Sequence, residues 1–196
     1  MKIITGTAKG MNLETLEGNE TRPTSQRVKE AIFSMLQFDI EGTRVLDLFA
    51  GSGQLGLEAL SRGALKATFC DMSAEATNIV IKNAKKARLF SSCRVSTCDY
   101  NQMIRGLAGK EQYDIIFIDP PYRLNCIDDV LRKLLQGNII SENAFIVCEN
   151  GGEDVFNSDE DLAKKFVIYK HNRYSISYIT ILRLAKENDN EGDSDR

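Results

Sequence analysis

The chain has 196 residues, 42% hydrophobic and 27% charged, with a formal charge of −3; this is ordinary globular composition, long enough for one sizeable core. No apolar run approaches the roughly 20 residues a membrane helix needs, and Met1-Lys2-Ile3-Ile4-Thr5-Gly6 has no secretory apolar stretch, so a soluble, cytoplasmic protein is expected. The 5 cysteines form no C-x-x-C pair, which argues against a zinc site or a disulfide framework. The acidity is local. Glu187, Asp189, Glu191, Asp193 and Asp195 stand against Lys186 and Arg196, so residues 186–196 carry the whole surplus and read as a solvated, disordered tail. The rest of the chain is neutral on balance and can still present a basic face.

In chain order, residues 1–21 hold glycines and short β-like runs and read as a small hairpin or arm. Val28, Ala31, Ile32, Met35 and Leu36 recur at helical spacing, with Pro23 just before and Thr24 as the N-cap. Residues 1–40 thus form an extension. From residue 44 strands and helices alternate: a strand over 44–49, a helix over 54–62, a strand over 66–70, and a helix from the Ser73 cap to about 89. A short strand over 94–97 follows, then a strand over 113–118. Ile127, Val130, Leu131, Leu134 and Leu135 mark one face of a helix, and 144–148 is a strand. Two last strands, 166–170 and 175–184, are joined by His171-Asn172-Arg173 as a terminal hairpin. The order predicts an α/β fold: a Rossmann-like, doubly wound, mostly parallel seven-stranded sheet over 41–185, with an antiparallel C-terminal hairpin and a small N-terminal β-hairpin and helix extension.

The chemistry concentrates at strand ends. The strand over 113–118 runs into Asp119-Pro120-Pro121-Tyr122. Two prolines cannot continue a central strand, because each lacks the N–H the ladder needs. The chain therefore presents a carboxylate, a rigid carbonyl and an aromatic ring at one point. That set suits a flat substrate with an amino group, such as a nucleobase. The first strand leads into Ala50-Gly51-Ser52-Gly53-Gln54-Leu55-Gly56, a G-x-G-x-x-G loop at a strand-to-helix turn. Asp71, ending the next strand, has the spacing of a ribose-hydroxyl acceptor. Asp47 lies inside the strand before the loop; a carboxylate there repels a pyrophosphate and attracts an ammonium. The run Leu46-Asp47-Leu48-Phe49-Ala50-Gly51-Ser52-Gly53 thus favours S-adenosylmethionine over NAD. Asp99 follows the third strand and either accepts from an adenine amine, with Tyr100 or Met72 packed on the ring, or is a loop acid. If the first and fourth strands are neighbours where strand order reverses, both motifs face one crevice.

On these segments, with Thr5-Gly6, Lys9-Gly10, Arg22-Pro23-Thr24, Arg27 to Phe33, Val45 to Ala64 and Arg173-Tyr174, the chain resembles the class I S-adenosylmethionine-dependent methyltransferases. More narrowly it is similar to the RsmD-type 16S ribosomal RNA guanine-N2 methyltransferases. The resemblance implies that Asp47, Gly51 and Gly53 hold the methionine part of the cofactor, that Phe49 also contacts the cofactor, that Asp71 binds ribose, and that Asp99 lies near adenine with Met72 and Tyr100. It implies that Asp119 and the Pro120 carbonyl take the substrate amine while Tyr122 stacks on the base. Lys9, Arg22, Thr24, Arg27 and Lys29 become candidates for RNA contact, with Arg22 and Thr24 alternatively touching the cofactor. The implied partner is 16S ribosomal RNA, within an assembling 30S subunit, bound by a monomer without a metal. Other readings of the same motifs are adenine-N6, cytosine-N4 or protein glutamine methylation, an NAD-dependent oxidoreductase, and a non-catalytic nucleotide-binding or RNA-binding scaffold.

Overall fold

The computed structural model describes residues 1–16 and 26–186. Seven strands form one sheet: β1 (Arg44–Asp47), β2 (Lys66–Asp71), β3 (Cys93–Thr97), β4 (Tyr113–Ile118), β5 (Ile140–Asn150), β6 (Phe166–Tyr174) and β7 (Ser177–Leu184). Their order is β3-β2-β1-β4-β5-β7-β6. The first five pair in parallel, and β7 joins β5 and β6 in antiparallel register. This is the doubly wound sheet with a C-terminal hairpin that the alternation predicts. Order reverses between β1 and β4, the place where such sheets open a crevice at their carboxyl ends.

Central strands bury both faces, so alternate residues feed two cores. Val45, Ile115, Phe117, Val147 and Ile181 face one side. There they meet α1 (Gln26–Met35), α2 (Gln54–Ser61) and α3 (Ala74–Lys86). Leu46, Ile116, Ile118, Ile146 and Leu182 face the other, under α4 (Tyr100–Leu107), α5 (Ile127–Gln136) and α6 (Glu160–Ala163). Ser73 caps α3 as expected, accepting from the Ala76 N–H at 3.2 Å. The sequence reading left out α4, whose buried face consists of only Met103, Ile104 and Leu107. It also ended the sixth strand too early. His171, Asn172 and Arg173 continue β6 and pair with Thr180, Ile179 and Tyr178. The turn falls at Ser175-Ile176, where Ser175 takes the positive φ of 59° that tight hairpin turns require. Among the described residues no helix is long and apolar enough to cross a membrane.

The N-terminal arm is a hairpin-like turn with a Lys2–Asn12 bridge, seated on α2 by Ser61, which bonds Thr5, Thr7 and Ala8, and by one carboxylate. Glu58, fully buried, accepts from the Ile4 N–H at 2.8 Å and the Thr5 N–H at 3.0 Å. It also pairs with Arg62 at 2.8 Å and with Lys29 at 3.3 Å. Lys29 corrects an expectation. Rather than reaching an RNA phosphate, its side chain is 0% exposed and donates to the Lys2 carbonyl at 2.7 Å. Burial pushes its ammonium below the ordinary lysine range, and Glu58 opposes that push. The N-cap expected at Thr24, the Arg22 candidate and all of the acidic tail but Lys186 lie outside the described residues.

Removing the shared carboxylate strands a buried cation. Glu58→Ala is expected to lower unfolding free energy by about 3–5 kcal/mol, measured by urea denaturation. A loss under about 1 kcal/mol would show that the arm is held by other contacts.

Candidate active site

The crevice is built by the ends of β1 and β4. Asp47 pairs with Phe117, and the Leu48 N–H donates to the Phe117 carbonyl at 3.2 Å. Both chains then leave the sheet on the same edge. One enters the glycine loop; the other, two residues later, is at Asp119-Pro120. The structure therefore brings together the two motifs that carry the functional reading.

Two acids brace the glycine loop. Asp71 Oδ2 accepts from the Gly51 N–H at 2.8 Å, while its Oδ1 accepts from the Ser73 N–H at 2.9 Å. Asp47 Oδ2 accepts from the Gly56 N–H at 3.2 Å, in the first turn of α2. Gly53 has φ 78°, open to glycine without strain. Gly56 answers to packing: a Cβ there would come within 2.3 Å of the Phe69 ring. The glycines thus serve both the turn and the close approach of α2 to β2.

Asp47 is 2% exposed. Burial pushes its carboxyl up to about 7; the Gly56 N–H pulls it down, and the charge of Asp71 adds to the rise. Near it, Gln54 Oε1 is buried without a hydrogen-bond partner among the described residues. Acceptors beside a glycine loop suit the ammonium end of S-adenosylmethionine, whose cationic donors would satisfy both groups.

Further along the edge, Asp99 is the N-cap of α4, its Oδ1 accepting from the Gln102 N–H at 2.9 Å. The Phe49 and Tyr100 rings lie 5.6 Å apart, tilted by 42°. The Tyr100 hydroxyl donates to Asp129 at 2.8 Å, and Met72 is exposed. Asp71 and Met72 thus stand at the end of β2, and Asp99 and Tyr100 follow the end of β3. Lys9 and Arg27 are exposed.

On the other side of the crevice, Asp119 is half-buried and Pro120 buried. Tyr122 opens a short 3-10 turn, Tyr122–Leu124. Its ring is 44% exposed, and its hydroxyl donates to Glu149 Oε1 at 3.3 Å. Burial, then the Glu149 charge, raise the phenol above the ordinary range. Pro120 and Tyr122 line a cavity of about 200 Å³ together with Glu149 and Asn150 from the end of β5. Those two residues were missed in the sequence, although Glu149-Asn150-Gly151-Gly152 repeats the pattern of an acid at a strand end followed by a glycine turn.

Comparison with known proteins agrees with this geometry. The family model described as Conserved hypothetical protein 95 matches residues 1–183. The Ribosomal RNA small subunit methyltransferase D of Haemophilus influenzae is 34% identical over 150 residues, covering 76% of this chain and 78% of that protein. The protein of the same name from Escherichia coli K12 is 34% identical over 160 residues, covering 79% of this chain and 76% of that one. Among solved structures, a conserved hypothetical protein of Streptococcus pyogenes superposes with a TM-score of 0.70 at 30% identity, covering 81% of this chain and 96% of that one.

The Asp47 carboxyl gives stability a pH dependence of known sign. Its folded pKa of about 7 lies above the unfolded value of 3.8. The stabilising contribution is therefore complete below about pH 4 and is lost as pH rises to about 7. Wild-type stability relative to Asp47→Asn is expected to fall through that window and level off above it, measured by urea unfolding at several pH values. A constant difference across the window would mean that Asp47 is ionised throughout.

Proposed function

We infer the reaction from two premises: the chain belongs to the Conserved hypothetical protein 95 family, and its glycine loop and Asp119-Pro120-Pro121-Tyr122 open on one crevice. Relatives at 34% identity are ribosomal RNA small subunit methyltransferases. The chain is accordingly a ribosomal RNA methyltransferase that uses S-adenosylmethionine, and its proposed acceptor is the exocyclic N2 amine of a guanine in 16S ribosomal RNA. The observation that carries this reading is the pairing of β1 with β4, which sets a cation-accepting loop beside an amine-accepting motif.

When bound, S-adenosylmethionine supplies an electrophilic methyl group on a sulfonium. In this reading Asp47, Gly51 and Gly53 hold its methionine end, Phe49 shapes the wall, Asp71 takes the ribose hydroxyls, and Asp99, Met72 and Tyr100 surround the adenine. The guanine N2 lone pair is delocalised into the ring and attacks poorly. Asp119 and the Pro120 carbonyl accept its two N–H bonds and turn the lone pair out of conjugation, toward the methyl. As the N–C bond forms the S–C bond would break, its electron pair leaving with S-adenosylhomocysteine; the Asp119 carboxylate stabilises the positive nitrogen until it loses one proton to solvent. Tyr122 stacks on a base that must be unstacked or single-stranded to reach it. Positioning contributes much of the remaining acceleration, and no covalent enzyme intermediate is required.

The arm over residues 1–40 is proposed to face the RNA, with exposed Lys9 and Arg27 as phosphate contacts. Residues 41–185 form the catalytic domain. Action on an assembling 30S subunit, as a cytoplasmic monomer, completes the proposal.

Radiolabelled S-adenosylmethionine and small-subunit particles lacking the modification test the function. Label is expected on N2 of a single guanine; label confined to adenine, cytosine or protein would replace the reading. Asp119→Ala is expected to retain S-adenosylhomocysteine binding in calorimetry and to lose at least about a hundredfold in turnover. Near-wild-type turnover in that variant would reject the role of Asp119.

A further inference from the structure

The cavity of about 200 Å³ beside Tyr122 has three carboxylates in its lining, Asp128, Glu149 and Asp154, and no lysine or arginine among the described residues. Its wall is rich in acceptors. Strand register places two of them beside the substrate motif. β5 runs parallel to β4 with Ile118 opposite Cys148 as the last pair, and just beyond it Pro120, Glu149 and Asn150 line the same cavity. Neighbouring strands lie about 4.8 Å apart, a spacing that the edge of one base spans.

Asn150 is half-committed. Its Nδ2 donates to the Gly152 carbonyl at 2.5 Å. That contact fixes the amide orientation, since the flipped form would set two oxygens against each other. Its Oδ1 is then buried with no hydrogen-bond partner among the described residues. A buried acceptor of this kind destabilises the protein until a donor reaches it. The Tyr122 ring lies against the adjacent Gly151, where a Cβ would stand 3.1 Å from Cδ2. The Tyr122 ring and Asn150 therefore line one cavity, and a base would have to draw the amide oxygen toward it.

The chemistry of the candidate acceptors selects among them. Adenine and cytosine each present an amine beside an unprotonated ring nitrogen. A glutamine amide presents one beside a carbonyl. Guanine presents its N2 amine beside the N1–H, so two neighbouring positions donate. A row of acceptors along two strand ends matches that edge and repels the others. We propose that Asn150 is the specificity-determining acceptor for the ring N1–H of the target guanine, while Asp119 and the Pro120 carbonyl hold its amine. The assignment rests on the guanine-N2 reading and accounts for its selectivity.

The base 2-aminopurine keeps the 2-amine but lacks both the N1–H and O6, so crossing the base change with the Asn150 variants isolates the part that depends on this amide. Small-subunit particles reconstituted with guanine or 2-aminopurine at the labelled position are compared by kcat/KM. The wild-type enzyme is expected to favour guanine by roughly ten- to hundredfold. Asn150→Ala should lower the guanine value by that factor and leave the 2-aminopurine value alone, bringing the preference within about threefold of unity. Asn150→Asp keeps the acceptor and loses the bond to Gly152; it should retain most of the preference. Unchanged S-adenosylhomocysteine affinity marks each variant as folded, and Asn150→Ser serves in the same comparison if the alanine variant does not fold. A full preference persisting without the amide, or an equal loss on both bases, overturns the role of Asn150 and leaves guanine-N2 methylation standing. Absence of methyl incorporation into guanine particles by the wild-type enzyme removes the guanine reading itself, and this assignment with it.

Discussion

The parallel pairing of β1 with β4 is the constraint on which the rest of the molecule depends. At the reversal, α2 turns to one face and α5 to the other, and a crevice is left between them. Register then sets the depth of that crevice. Asp47 stands opposite Phe117, so the glycine loop and Asp119 begin at nearly the same level. One intervening strand would double their separation from about 4.8 Å to roughly 9.6 Å, beyond the contact distance of a transferring methyl group. Methyl transfer in this chain is thus a consequence of strand order before it is a consequence of any side chain.

The arm shares its supports with the crevice. Glu58 fastens residues 4 and 5 to α2, the helix that begins at the glycine loop. Ser61 on the same helix adds bonds to Thr5, Thr7 and Ala8, and Asn83, fully buried on α3, makes an attachment from a second helix. Its Oδ1 accepts from the Glu14 N–H at 2.8 Å, while its Nδ2 donates to the Glu14 and Ser52 carbonyls at 3.0 Å each. One amide thereby links the arm to the glycine loop with its hydrogen-bonding groups satisfied. Buried networks of this kind specify geometry more than they add stability. The proposed RNA-facing arm and the proposed cofactor loop are consequently held by the same pair of helices.

What could be read from the residues followed from how local their signals are. Asp119-Pro120-Pro121-Tyr122 was legible because proline forbids continuation of a central strand, whatever surrounds it. The glycine loop was legible because it sits between a strand pattern and a helix pattern. Lys29 misled because a lysine on an exposed-looking helix gives no sign that a carboxylate 29 residues away will bury it; that contact is purely tertiary. The helix α4 escaped because its buried face is narrow, with three apolar residues among eight. Glu149 and Asn150 escaped because their meaning lies in β5 being the neighbour of β4, which strand order alone reveals.

The same local details separate a sulfonium cofactor from a dinucleotide on a shared loop pattern. A pyrophosphate at a G-x-G-x-x-G turn needs the bare N–H groups of the loop and of the first helical turn. Here the Gly51 N–H is already given to Asp71 and the Gly56 N–H to Asp47. A phosphate would have to displace two carboxylates and then sit beside them. A cationic ligand meets the opposite situation. It finds Asp47 held near pH 7 by burial, and its positive charge would favour the ionised form and draw the carboxyl back toward its ordinary range. In the proposed reading, a sulfonium-and-ammonium ligand would offset the burial of Asp47, which a pyrophosphate would aggravate.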